Sequence, residues 1–239
     1  MNRFFVQQGL SIGEDLCLPD EVTHHWCRVL RAKVGDVAIL FDGQGGEYAA
    51  TLTQIDKKSA KVHINDFNPI NRTPMFQATI GLVISKGDRM DYAIQKACEM
   101  GVSHIQLLTS ERCQEPLKYE RNRKKIAHWQ GIAVAACEQC GLNKIPAIAP
   151  AKTLDEWVAS CTDELKLVLA LSDGKPDFHH PLPNTVALLI GGEGGLSPRE
   201  MALAKSHGFT PWTIGERVLR TETAPVVALT ALQIIYGMA

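Results

Sequence analysis

Apolar positions along the chain follow two patterns. Up to about residue 68 they alternate. Val37, Ile39 and Phe41 stand at every second position, turn residues follow at Asp42-Gly43 and Gly45-Gly46, and alternation resumes from Tyr48 through Ile55. Two alternating runs joined by a glycine-rich turn predict a β-hairpin. KVHINDF at 61–67 repeats the period through Val62, Ile64 and Phe67. A short helix is expected over 19–30, with Asp20 as its cap. PINRTP at 69–74 has a proline at each end and reads as a linker.

Beyond Met75 continuous apolar runs alternate with stretches of helical period. Strands are expected at 76–84, 104–110, 165–172, 185–192 and 211–215, and helices at 88–101, 118–141, 152–160, 197–208 and 223–237. In DRMDYAIQKACEMG, Met90, Ala93, Ile94, Ala97 and Cys98 recur at spacings of three and four before Gly101 stops the helix. Apolar strands without alternation, each followed by a helix, imply a mostly parallel sheet covered on both faces. The pattern divides the chain into a β-rich domain at 1–70 and an α/β domain at 75–239.

Composition narrows the class. The 239 residues carry 25 Lys+Arg against 26 Asp+Glu, a formal net charge of -1, with 45% apolar side chains. This describes a folded globular chain rather than a disordered one or a disulfide scaffold. It also argues against holding nucleic acid by bulk positive charge, though not against local basic patches. No apolar run approaches the roughly 18 residues of a membrane helix. Seven cysteines without an export signal suggest reduced thiols and a cytoplasmic location.

The densest chemical signal is TVALLIGGEGGLSPREM. An apolar strand ends at Ile190, Gly191, Gly192, Gly194 and Gly195 follow, and a helix opens with Ser197 as cap, Pro198 in its first turn and Glu200 completing a capping box. Such a loop lets a ligand approach the backbone closely, and it lies where open α/β sheets place their ligands. A dinucleotide fingerprint fails, because its third glycine falls on Ser197, and a phosphate loop fails for want of Gly-Lys-Ser/Thr. A plain strand-to-helix turn needs one or two glycines, and here four stand within five positions. A second loop, TIGERVLRTETAPVVAL, has the same layout. It concentrates Glu216, Arg217, Arg220 and Glu222, with Thr221 and Thr223 available to cap the next helix and Pro225 in its first turn. Two arginines three apart suit a phosphate or carboxylate partner.

IGGEGGLSPRE and LRTETA resemble the cofactor loops of the SPOUT class of RNA methyltransferases, and most closely the ribosomal RNA small subunit methyltransferase E family, which modifies uridine N3 in 16S rRNA. MNRFF, HHWCRVLR, FDG, KGDRMDYAIQKACEMGV, SERC and AACEQCG match in order along nearly the whole chain. The resemblance implies a PUA-like β-barrel that helps bind RNA, followed by a SPOUT-type α/β domain with a deep trefoil knot. It further implies S-adenosylmethionine (SAM) as cofactor, a homodimer, and the small ribosomal subunit as partner. No metal or membrane is expected. Two positions depart from the family pattern: Gly192 stands where proline is usual, and Pro225 where a small or polar residue is.

On that resemblance, Leu169, Leu171, Ile190, Gly191, Gly195, Ile214, Leu219, Thr221, Thr223 and Ala224 are the expected cofactor residues. Arg220 is expected to stabilise charge on the uracil, with Glu222 and then Glu193 as candidate base or orienting carboxylate. The expected RNA contacts are Arg3, Arg28, Arg31 and Lys33, then Lys86, Arg89, Arg112 and the basic stretch holding Arg121, Arg123 and Lys124. That basic stretch suits the solvated face of a helix equally well. A different SPOUT activity, on ribose 2′-OH or a tRNA guanine, and a catalytically silent RNA-binding assembly factor are the alternatives. Cys137 and Cys140 lack a second cysteine pair for a zinc site, and His24-His25 and His179-His180 lack a third ligand. Trp26, Trp129, Trp157 and Trp212 are read as packing residues rather than base-stacking platforms, although Trp26 suits either role.

Overall fold

The computed structural model describes residues 1–113, 119–172, 176–178 and 181–237, with the backbone alone for 119–122. The chain forms two compact units, Met1–Thr73 with Cys137–Ile145, and Pro74–Ala136 with Pro146–Ala239. The first unit therefore takes in a segment from far along the chain.

In the first unit, β1 (Arg3–Phe5), β2 (Asp15–Cys17), β3 (Val37–Phe41), β4 (Glu47–Ile55) and β5 (Ala60–Asn68) form a sheet in the order β1-β3-β4-β5-β2. The expected hairpin is β3–β4, antiparallel, with Leu40 opposite Tyr48. Period-two burial puts Ala60, Val62 and Ile64 of β5 into a core with Phe4, Leu18, Trp26, Leu40 and Leu52. The expected helix is split into α1 (Asp20–Thr23) and a π-helix (His24–Val29). Its cap position is Pro19 and no side chain caps it, so Asp20 sits in the first turn instead.

The sheet is tied to 137–145 by buried charge. Arg3 bonds Glu47 at 2.5 Å and Asn143 Oδ1 at 2.5 Å, and Arg72 bonds Glu47 at 3.0 Å and the Gly141 carbonyl at 2.9 Å. Burial pushes the Glu47 carboxyl up, but the hydrogen bonds and charges of Arg72 and Arg3 outweigh it and hold the group below its ordinary value. Glu138 accepts from the Phe5 amide at 2.9 Å.

The second unit carries β6 (Gln77–Val83), α2 (Asp88–Glu99), β7 (His104–Thr109), α3 (Tyr119–Cys140, its last turn counted with the first unit), β8 (Ala147–Thr153), α4 (Leu154–Ser160), β9 (Leu165–Leu169), β10 (Thr185–Ile190), α5 (Pro198–Ser206), β11 (Thr210–Trp212) and α6 (Ala224–Ile235). Its six strands, all parallel, run β11-β9-β10-β6-β7-β8. The central β6 and β10 are buried along almost their whole length, as their unbroken apolar runs require. Gly81 in β6 admits the Trp157 ring of α4, since an added Cβ would stand 2.3 Å from it. The strand order reverses between β6 and β10, with β7 and β8 built outward on one side and β9 and β11 on the other. Ligand sites of open α/β sheets lie at the carboxyl ends of strands around such a reversal.

Candidate functional site

A cleft of about 670 Å³ opens where β9, β10 and β11 end. Its floor is the exits of those strands, Leu169, Ile190 and Trp212, and its walls are the two loops that follow β10 and β11. Thr213 joins two strand exits: its hydroxyl lies 2.9 Å from the Ala170 carbonyl and 2.7 Å from that of Ser172 and accepts the Ser172 amide at 3.0 Å.

The first loop folds back on itself, with the Gly195 amide donating to the Gly192 carbonyl at 2.9 Å. A Cβ on Gly191 would stand 3.2 Å from Leu196 Cγ and 3.3 Å from the backbone of Gly195 and Leu196. Gly195 has φ +64°, a left-handed conformation that glycine adopts freely. The helix cap forms as expected: Ser197 Oγ accepts from the Glu200 amide at 3.1 Å, and Glu200 accepts from the Ser197 amide at 2.8 Å.

The second loop meets the first through one hydrogen bond, Thr221 Oγ1 to the Gly191 carbonyl at 3.1 Å. Thr221 was expected to cap the next helix and bridges the loops instead. Thr223 holds the cap position of α6 without a side-chain capping bond and stands outside the cleft lining. The loop closes by Thr223 and Ala224 amides donating to the Arg220 carbonyl at 2.9 and 3.0 Å. Pro225 fits the first turn of α6, where a missing amide breaks no intrahelical bond.

Charge collects at the cleft mouth. The Arg220 side chain is 77% exposed and lies 3.8 Å from Glu222, whose side chain is only 15% exposed. Arg89, from α2, pairs with Glu193 at 2.6 Å. An apolar interior of Leu169, Leu196, Met201, Trp212, Ile214 and Leu219 beneath a charged rim suits a ligand with a flat heterocycle and a zwitterionic end.

Two family models match. That for an RNA methyltransferase domain covers residues 71–233, and that for an RNA methyltransferase PUA domain covers residues 18–65. The ribosomal RNA small subunit methyltransferase E of Buchnera aphidicola (Schizaphis graminum) is 34% identical over 98% of this chain and 96% of its own. The chain belongs to the ribosomal RNA small subunit methyltransferase E family. A crystal structure of that enzyme from Neisseria gonorrhoeae, bound to S-adenosyl methionine, superposes with a TM-score of 0.92 at 35% identity, covering 99% of this chain and 98% of the other. A Legionella pneumophila methyltransferase solved with bound SAM also reaches 0.92, at 39% identity over 97% of this chain and 96% of the other.

Of the cofactor residues expected in this family member, Leu169, Leu171, Ile190, Gly191, Gly195, Ile214, Leu219, Thr221 and Ala224 line the cleft, and so do Arg220, Glu222 and Glu193. The lining also includes Leu196 and the 81%-exposed Val218 from the two loops, Met201 from α5 and Trp212 at the end of β11, none of which the sequence singled out as a cofactor residue, because a lone apolar side chain carries no motif.

The basic residues divide. Arg28, Arg31, Lys33, Lys86, Arg123 and Lys124 are exposed. The Arg121 side chain lies outside the described residues. Arg3 corrects the expectation of an RNA contact, for its side chain is 13% exposed and its guanidinium is occupied by Glu47 and Asn143. Arg112 is turned toward the glycine loop, donating to the carbonyls of Gly194 and Leu196. The four tryptophans are buried, as packing residues should be. Among the described residues no group of three or more His, Cys, Asp or Glu is placed to hold a metal ion, and no helix is long and apolar enough to cross a membrane.

Proposed function

We propose that this protein transfers a methyl group from SAM to N3 of a uridine in the 16S rRNA of the small ribosomal subunit. The observation that carries the reading is the cleft walled by two loops that Thr221 and Gly191 bond together, in a chain of this family. The residues present fit the cofactor: Gly191 leaves backbone bare where a Cβ would crowd the loop, and the cleft falls within the roughly 300–1,000 Å³ of small-molecule sites. Backbone at Ile190, Gly191, Gly195, Ile214 and Leu219 would hold it, with Leu169, Leu171, Thr221 and Ala224 closing around it. When bound, it supplies a methyl group activated by a sulfonium.

The uridine N3 edge is the one used in base pairing, so the target must be unpaired or splayed out. The in-line approach needs little beyond positioning, which loops fixed by Thr221 and Thr213 provide. Arg220, exposed and 3.8 Å from Glu222, can swing onto a uracil oxygen and stabilise the negative charge that grows as N3 loses its proton. Glu222 is the better placed carboxylate to accept or orient that proton, because Glu193 is engaged by Arg89.

Arg28, Arg31 and Lys33 would dock RNA on the first domain, where Arg31 turns the chain with φ +57° just past the π-helix. Lys86, Arg89, Arg123 and Lys124 serve on the second. Domain limits of 1–70 and 75–239, a PUA-like barrel, a deep trefoil knot, a homodimer and a cytoplasmic location belong to the same reading and rest on family membership. Exposed Tyr92 on α2 and Ile234 and Ile235 on α6 support pairing of two copies. The test is incubation with labelled SAM and small subunits from cells lacking the modification. Label is expected in 16S rRNA of the small subunit, and label confined to large subunits or tRNA would overturn the proposal.

A further inference from the structure

We propose that the Ser110–Cys113 turn is a clasp that positions the cofactor loop, with Arg112 as its working residue; this rests on the cleft being the SAM site. One guanidinium nitrogen of Arg112, Nη1, donates to the Gly194 carbonyl at 3.1 Å and to the Leu196 carbonyl at 3.3 Å. Both peptide groups are also held at their other end. The Gly195 amide donates to the Gly192 carbonyl at 2.9 Å, and the Ser197 amide to Glu200 at 2.8 Å. Gly195 and Leu196, which line the cleft, thus lie between two peptide planes that cannot turn. Contact is close as well as polar: a Cβ on Gly194 would stand 3.1 Å from Arg112 Cβ and 3.5 Å from the Arg112 carbonyl.

The turn itself is anchored on both sides. The Cys113 amide closes it by donating to the Ser110 carbonyl at 3.0 Å, and the Cys113 thiol reaches the Ile84 carbonyl at 3.6 Å, at the exit of β6. On the other side the Glu111 amide donates at 2.8 Å to Glu200, the buried carboxylate that completes the capping box of α5. The Glu111 carboxylate meets Arg199 of that helix, and Arg199 makes a two-pronged pair with Asp155 at 2.8 and 3.0 Å. Hydrogen bonds to Ser197 and then Arg199 hold the Glu111 carboxyl below its ordinary range. So α5, the glycine loop and the end of β6 are joined at one four-residue turn, and Arg112 is its only side chain that touches the loop backbone among the described hydrogen bonds. Such fixing reduces the ordering left to be done when a ligand binds. Arg112 is a positioning residue that acts through backbone carbonyls, in place of the phosphate contact its charge suggests.

The experiment measures SAM binding by calorimetry, and small-subunit affinity against salt, for the wild type, Arg112→Ala and Arg112→Lys, with thermal unfolding as a check on folding. Arg112→Ala should bind SAM about tenfold more weakly, the loss expected for charge-assisted hydrogen bonds on an exposed side chain. KM for SAM should rise while kcat at saturating SAM stays within about threefold, and the salt slope of subunit affinity should not change. Guanidinium ion at low millimolar concentration should restore SAM binding to Arg112→Ala and leave the wild type unaffected. Should Arg112→Ala not fold, Arg112→Lys carries the test, because the lysine side chain is one bond shorter and does not bring its ammonium to the place of Nη1 between the two carbonyls, and it too should bind SAM more weakly. SAM binding within twofold of wild type in the folded variants would overturn the clasp, the more so if the salt slope became shallower by the roughly 0.7–0.9 log units of one phosphate contact. A wild type that bound no SAM would instead overturn the underlying reading of the cleft.

Discussion

Gly191 offers the sharpest perturbation of the cofactor loop. Its φ lies outside the left-handed region, so alanine is allowed by the backbone and the whole effect is steric. The new Cβ would meet Leu196 Cγ at 3.2 Å and two backbone atoms, Gly195 C and Leu196 N, at 3.3 Å. A flexible side chain can yield a few tenths of an ångström, but the backbone atoms can do so only by moving the turn. Overpacking of this kind costs about 1–3 kcal/mol, offset by about 0.4–1 kcal/mol from the stiffer unfolded chain. The fold should therefore lose about 0–2.6 kcal/mol. The cleft should lose more, because the displaced segment carries Gly195 and Leu196 and disturbs the Thr221 bond to the 191 carbonyl. Two weakened hydrogen bonds amount to about 2 kcal/mol, a Kd for SAM about thirtyfold higher. Calorimetric titration of Gly191→Ala with SAM, beside denaturant unfolding without it, separates the two effects. A Kd within twofold of wild type in a folded variant would refute the reasoning.

Other expectations follow from the same geometry. Thr221→Val removes the hydroxyl bridge between the loops and should weaken SAM binding about fivefold, on the basis of about 1 kcal/mol for one hydrogen bond, with unfolding nearly unchanged. Arg220→Ala should lower the rate of methyl transfer about 10²–10³-fold while SAM binding, measured by calorimetry, stays within twofold. Arg3→Ala leaves the buried Glu47 with only Arg72 and should lower stability by about 3 kcal/mol in denaturant unfolding. Because the Glu47 carboxyl is held below its ordinary value of 4.5, its stabilisation is complete above that pH and lost as pH falls through the lower folded value. Glu47→Gln should flatten that acid limb of the stability curve, and an unchanged limb would count against the paired carboxylate.

Much of the fold could be read from the sequence, and each omission has its own physical reason. The central strands of the second unit announce themselves because burial on both faces demands unbroken apolar runs. β8 does not, because it is an edge strand that tolerates Pro150 and exposes half its length. β1 and β2 span three residues each, too short for a period to show. The capping box at Ser197 was legible because all its partners lie within three residues.

Charge was legible and its partners were not. Arg3 meets Glu47, Arg112 meets Gly194 and Arg89 meets Glu193, at separations only the fold can bridge. Of the first-domain candidates, Arg31 and Lys33 are exposed, and Arg28, also exposed, donates to the Lys57 carbonyl at 2.6 Å, so a near-neutral chain offers few cations for phosphate and a shallow salt dependence is expected. The two glycine-bearing loops pointed to a backbone-lined site. That Thr221 would bond them, rather than cap a helix, depended on where β10 and β11 end in space.

The most direct test is the chemical identity of the product. Small subunits lacking the modification are treated with the protein and SAM, the 16S rRNA is digested to nucleosides, and the methylated species is identified by mass spectrometry against standards. The expected product is 3-methyluridine, at a single site. A methyl group on ribose or guanine, or none at all with RNA binding retained, would contradict methyl transfer to uridine N3.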